Sequence, residues 1–211
     1  AEVFSVSYMK NSNDSQQRPL TFVFNGGPGA SSAYLHVGAL GPKRVEFAKN
    51  GTPSKPPVRL RDNSESWLKF TDLVFVDPVG TGFSRILDEN EVKSTKSKEE
   101  NSPDENEFYK LNRDIESLGE FIQKFLSKHK RWASPVFIAG ESYGGFRVGK
   151  LARKLQEGYG VGLNGAILIS PALGCLGNIG VVCSGVGTCF PSGQGIIITI
   201  TCQWWVCIIM T

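Results

Sequence analysis

Cysteine is missing from the first 174 residues of this 211-residue chain, and charge is missing from its end: nothing after Glu157 is Asp, Glu, Lys, Arg or His. The five cysteines, Cys175, Cys183, Cys189, Cys202 and Cys207, crowd a Gly-rich tail without CxxC spacing. That pattern supports neither a zinc site nor a disulfide framework, and no metal is expected. Histidine is scarce too, with only His36 and His129, and no aspartate follows Asp114. The net charge of +3 is small and scattered, which argues against nucleic acid as a partner. No clear membrane segment is present, since the apolar end of the tail falls short of the ~20 residues of a span. The opening "AEVFSVSYMK" has no basic region followed by a long apolar run, so no signal peptide is visible.

What is there reads as one globular domain, with 40% hydrophobic residues. Four apolar runs of strand length, "LTFVF" (20–24), "DLVFV" (72–76), "PVFIA" (135–139) and "GAILIS" (165–170), suit strands buried on both faces of a parallel sheet. "FSVSY" near the start alternates and reads as an edge or hairpin strand. Between the second and third runs a helix is predicted from an N-cap at Ser102, with Pro103 at its first position. Its apolar stripe is Phe108, Leu111, Ile115, Leu118, Ile122 and Phe125, with Lys124, Lys128, Lys130 and Arg131 gathered at its far end. A second helix is predicted over about 144–157. Strand–helix alternation of this kind is the pattern of an open α/β fold. The Pro-rich "KNGTPSKPPVRLRDNSES" reads as an irregular surface excursion, and "LDENEVKSTKSKEENSPDEN" as a solvated loop.

Three motifs carry chemistry. Gly140-Glu141-Ser142-Tyr143-Gly144 fits G-x-S-x-G between a predicted strand and a predicted helix, the setting in which a sharp turn pushes a nucleophilic Ser Oγ out of the sheet edge. A plain Gly-Ser turn fits the five residues equally. The Tyr143 N–H, at the helix start, could donate to a developing oxyanion. Asn25-Gly26-Gly27-Pro28-Gly29 follows the first buried run and offers backbone amides at close approach; no Gly-Lys-Ser/Thr follows, so a phosphate loop is a poor fit. Asp77-Pro78-Val79-Gly80-Thr81-Gly82-Phe83-Ser84 follows the second run. Asp77 there reads as a structural acceptor for loop amides, and Ser84 as a turn or cap residue.

In order and spacing, "FVFNGGPGASS", "LVFVDPVGTGFS" and "IAGESYGG" resemble the serine carboxypeptidases, α/β-hydrolases that remove C-terminal residues from peptides, and their bacterial branch in particular. The resemblance runs from about residue 3 to 173 and covers the first part of such an enzyme. It implies an α/β-hydrolase-type, mostly parallel sheet flanked by helices. It implies Ser142 as nucleophile, Gly27 and Tyr143 as oxyanion-hole amides, and Asn25 and Glu141 as holders of the substrate's C-terminal carboxylate. The expected partners are peptides with a free C-terminus, with no cofactor, in a secreted, periplasmic or lysosome-like compartment. Two carboxylates in contact repel, so Glu141 would bind such a substrate by carrying a proton. The second glutamate of many relatives is replaced here by Ala39, before Leu40-Gly41-Pro42.

The family order places an aspartate and then a histidine after the serine, and neither follows Ser142 here. His129 reads as a solvated helix-end residue, and His36 is not assigned as the base. Residues 1–173 are therefore taken as the amino-terminal part of the family domain. The uncharged 174–211 tail is taken as sequence foreign to the family, from another reading frame, a splice or assembly error, or an interrupted gene joined to a genuine fragment. Such a chain is expected to be nearly inactive and to leave a sheet edge uncovered. Two other functions share the same residues: a non-catalytic binding protein, and an acyltransferase in which an alcohol captures the acyl group.

Overall fold

The computed structural model describes residues 1–11, 16–48, 50–52, 56–87, 108, 110–172, 181–184, 188–191, 196–202 and 204–210. The four apolar runs form four parallel strands: β2 (Leu20–Phe24), β5 (Asp72–Val76), β6 (Val136–Glu141) and β7 (Gly165–Ile169). β1 (Ser5–Tyr8) pairs antiparallel with β5 at the sheet edge, as its alternation suggests. After a separate antiparallel pair, β8 (Val181–Ser184) and β9 (Thr188–Pro191), the two remaining members of the sheet are β10 (Ile196–Cys202) and β11 (Trp204–Met210), which give the order β1-β5-β2-β6-β7-β11-β10. An open β7 edge is therefore not what the structure shows. β11 pairs antiparallel with β7, Val206 opposite Ile169 and Met210 opposite Gly165. The Ile-rich tail supplies the β-branched residues that strands favour.

Each strand is apolar on both sides because each side meets a layer. Phe22, Phe24, Val74, Val76 and Ile138 face one cluster, shared with two helices, α2 (Leu111–Lys128) and α3 (Tyr143–Gly158). Val23, Leu73, Phe75 and Ala139 face the other, against Leu35 of a single helical turn, α1 (Ala33–Leu35), and Leu40 of the π turn that continues it. Alternate residues of one strand thus point into two cores. This is the mostly parallel, helix-flanked α/β arrangement that the sequence pattern calls for.

Two local expectations are corrected. The predicted helix is interrupted at Lys110, which is extended (φ −73°, ψ 133°), so that the long helix begins at Leu111; the N-cap expected at Ser102 and Pro103 lies outside the described residues. The Pro-rich excursion contains β4 (Leu60–Asp62), which pairs with β3 (Lys43–Val45) in a small arm of its own. Arg131, one of the cations gathered beyond the far end of α2, is buried. It is 2% exposed, donating to Asp72 Oδ2 (2.7 Å), Ser134 Oγ (2.6 Å) and the Arg18 carbonyl (2.8 Å). Asp72 also accepts from Arg18 Nε at 2.7 Å, so one buried carboxylate ties together the starts of β2, β5 and β6. The predicted solvated loop lies almost wholly outside the described residues.

Candidate active site

Ser142 sits where β6 turns sharply into α3, at φ 54° and ψ −118°. A side-chain-bearing residue held there costs of order 1–3 kcal/mol, so the surroundings must enforce it. They do so from both sides. The Ser142 N–H donates to the Ile169 carbonyl at 2.9 Å, and the Ser142 carbonyl accepts from Gly145 and Ala172, each at 3.0 Å. The motif's first glycine makes the turn sterically feasible. A Cβ on Gly140 would run into the Gly144 carbonyl and come within 2.8 Å of the Gly145 nitrogen.

The glycine loop lies directly against this elbow. A Cβ on Gly26 would fall 2.8 Å from Ser142 Cβ and 2.9 Å from the Tyr143 nitrogen, so only glycine allows the approach. Gly27 follows at φ 113°, a conformation that glycine adopts freely, and is exposed. Sequence positions 25–27 and 141–143 are thereby brought into one place at the carboxyl ends of β2 and β6.

Asn25 is buried and fully directed. Its Oδ1 accepts from the Leu35 N–H at 2.8 Å, which orients the amide so that Nδ2 donates to Glu141 Oε2 at 3.3 Å. The predicted carboxylate readers are therefore in contact, with Glu141 and Ser142 both half-exposed.

Asp77 behaves as a structural acceptor: Oδ1 takes the Ser32 N–H at 2.8 Å, and Oδ2 the Phe83 N–H at 3.3 Å. Ser84 is a turn residue, its hydroxyl donating to the Asp77 carbonyl at 2.6 Å and accepting from the Phe4 N–H at 2.7 Å. The histidines are engaged elsewhere. His36 Nε2 is 2.7 Å from the Tyr8 hydroxyl, and its ring stacks on Phe75 at 4.7 Å. Burial pushes its imidazole below the ordinary value, opposed by the Asp77 charge. His129 is exposed against Phe125, and burial, with Lys128 and Arg131 nearby, lowers it as well. A cleft of about 420 Å³ between β1 and α2 includes His129 but none of the site residues.

Two participants carry no motif signal. Ser32 caps the loop, accepting the Asn25 N–H at 3.2 Å and donating to the Val76 carbonyl. Arg147, 3% exposed, reaches the Asn25 carbonyl from behind. The "SS" after the glycine loop hints at the first; "GGFRVGK" gives no sign of the second. Among the described residues there is no group of three or more His, Cys, Asp or Glu that could hold a metal ion, and no helix is long and apolar enough to cross a membrane.

The serine carboxypeptidase family profile matches residues 4–173. Serine carboxypeptidase-like 13 of Arabidopsis thaliana is 32% identical over 177 residues, covering 78% of this chain and 35% of the relative. Serine carboxypeptidase-like 5 of the same plant is 32% identical over 155 residues, covering 72% of this chain and 31% of the relative. Among solved structures, Kex1Δp, a prohormone-processing carboxypeptidase from Saccharomyces cerevisiae, superposes with a TM-score of 0.54 at 26% identity, covering 75% of this chain and 30% of that one. The chain spans about a third of the length of the curated relatives it matches.

Proposed function

The chain belongs to the serine carboxypeptidase family, and on that premise we propose that its site serves the release of C-terminal residues from peptides through a Ser142 acyl-enzyme. One observation carries this reading: the Asn25–Glu141 contact beside the elbow serine. An amide donor fixed by the Leu35 N–H and a half-exposed carboxyl group form a cradle for a substrate's own terminal carboxylate. Binding there takes up one proton, because the two carboxyl groups must share one to form a hydrogen bond. With its proton on the carboxyl pair, the cradle favours a carboxylate over a neutral peptide amide, because a charged acceptor makes the stronger hydrogen bonds.

In the proposed reaction Ser142 Oγ attacks the last peptide carbonyl. The oxyanion accepts from the Gly27 and Tyr143 N–H groups, the C–N bond breaks, and the leaving residue departs as an amine that takes a proton. Water then hydrolyses the ester and restores the serine. Both steps need a proton carrier, and these 211 residues have no histidine after His129 and no aspartate after Asp114. Loss of the histidine from such a triad costs about 10⁶ in turnover, while the oxyanion hole and binding keep some 10³–10⁴ over water. The 211-residue polypeptide is therefore expected to bind its ligands and to turn over very slowly.

A second reading, a binding protein that keeps the elbow without catalysis, is favoured by the engagement of both histidines with other partners. Labelling with a fluorophosphonate and peptide mapping tests the nucleophile. Slow modification confined to Ser142, and lost in Ser142→Ala, supports the nucleophile. No modification over days would contradict Ser142 as a nucleophile in this 211-residue chain, and fits a binding protein or an enzyme lacking its base. Modification at the rate of an intact serine hydrolase would overturn the claim that a base is missing.

A further inference from the structure

The carboxylate cradle is supported from beneath by a buried arginine. Arg147 Nε donates to Asp114 Oδ2 at 2.7 Å, Nη1 donates to the Asn25 carbonyl at 3.2 Å, and the guanidinium lies 5.1 Å from the centre of the Tyr143 ring. Arg147 and Asp114 are both buried, so the pair is shielded from solvent screening. One side chain thus touches α2, the glycine loop and the first turn of α3.

The atom it holds is placed to matter. The Asn25 carbonyl belongs to the Asn25–Gly26 peptide, the unit immediately before the one that carries the Gly27 N–H. The same residue's side chain points at Glu141. Fixing that carbonyl fixes the direction of the Asn25 amide and of the Gly27 donor relative to Ser142 and Tyr143. A buried guanidinium needs further acceptors besides Asp114, and here the one it takes is a carbonyl of the glycine loop.

We infer that Arg147 is a positioning residue, which through Asn25 sets the carboxylate cradle and oxyanion loop in register with the elbow, with Asp114 orienting its guanidinium. The inference rests on the proposed carboxylate recognition. A lysine cannot replace the arginine, because one nitrogen cannot span from Asp114 to the Asn25 carbonyl as the fork does.

The test uses the 211-residue chain and an N-blocked dipeptide as free acid and as amide, with affinities measured at about pH 4.5, where carboxyl groups take up protons. Two variants are compared, each below its own unfolding midpoint. Arg147→Lys keeps the charge beside Asp114. The double variant Asp114→Leu/Arg147→Met removes the pair without leaving a lone buried charge. Both are expected to lose about tenfold or more of the acid-over-amide preference, as for a hydrogen bond to a charged group, with amide affinity unchanged. Variants that keep the wild-type preference while unfolding at lower temperature would overturn the inference and leave Arg147 a stabilising residue only. Absence of any acid preference in the wild-type chain would overturn the proposed carboxylate recognition itself, and this inference with it.

Discussion

Gly140 and Gly149 lie nine residues apart, on the two sides of the elbow, and the same substitution is expected to have opposite effects at them. At Gly140 an added Cβ meets the Gly144 carbonyl group and the Gly145 nitrogen, all backbone atoms of the turn that carries Ser142. No flexible side-chain end is there to give way. Overpacking of this kind costs about 1–3 kcal/mol, and rigid neighbours put Gly140→Ala at the upper end, about 3 kcal/mol. For a domain of this size the midpoint of thermal unfolding should fall by about 6–12 °C. At Gly149, an exposed interior position of α3, an added Cβ meets nothing within 4 Å. Gly149→Ala should then gain the helix-propensity difference, about 0.5–1 kcal/mol, and raise the midpoint by about 1–4 °C. Thermal unfolding followed by circular dichroism measures both. A Gly140→Ala protein as stable as wild type, or a Gly149→Ala protein destabilised to the same degree, would refute the close-packed elbow.

Further outcomes follow from the same structure. Asp72→Ala leaves the buried guanidinium of Arg131 without its carboxylate and should cost about 3–5 kcal/mol in urea unfolding; a loss below about 1 kcal/mol would show that the cluster is replaceable. His36 is held below its ordinary value of 6.5, first by burial, with Asp77 opposing. The unfolded chain therefore binds the proton more readily, and the stability that neutral His36 contributes is complete above pH 6.5 and is lost as pH falls toward the folded value. Urea midpoints should decline through that window in wild type and decline less in His36→Gln; identical slopes would contradict this. In Asn25→Ala the Leu35 N–H loses its acceptor and Glu141 its donor. Acid-peptide affinity should fall about tenfold or more, with amide affinity little changed. An equal loss for both ligands would point to a collapsed loop instead.

Much of this fold is legible in the sequence because its strands are buried on both faces. Runs such as "LTFVF" and "DLVFV" need no alternation to be recognised, and each maps onto its strand residue for residue. The elbow is legible for a related reason: close backbone approach admits only glycine at Gly26 and Gly140, and that leaves a visible imprint. Arg147, Asp114 and Arg131 left none. Each sits among other charged residues on a helix or at its end, and in the sequence each looks like a solvated cation or anion. Burial of a charge is decided by a partner distant along the chain, here 33 positions for Arg147 with Asp114 and 59 for Arg131 with Asp72. The break at Lys110 leaves no mark in the apolar stripe that runs from Phe108 to Phe125, and β4 is hidden by the prolines around it.

Recognition of a C-terminus at this site requires Asn25 and Glu141 to receive a free carboxylate together with one proton. Calorimetric titration of the 211-residue chain with the dipeptide acid, in buffers of different ionisation enthalpy, counts that proton directly. The predicted result is uptake of about one proton per acid bound, with affinity falling about tenfold per pH unit wherever that full proton is taken up. No uptake is expected for the amide, and none for the acid in Glu141→Gln. Equal affinity for acid and amide, or binding of the acid without proton uptake, would contradict the account.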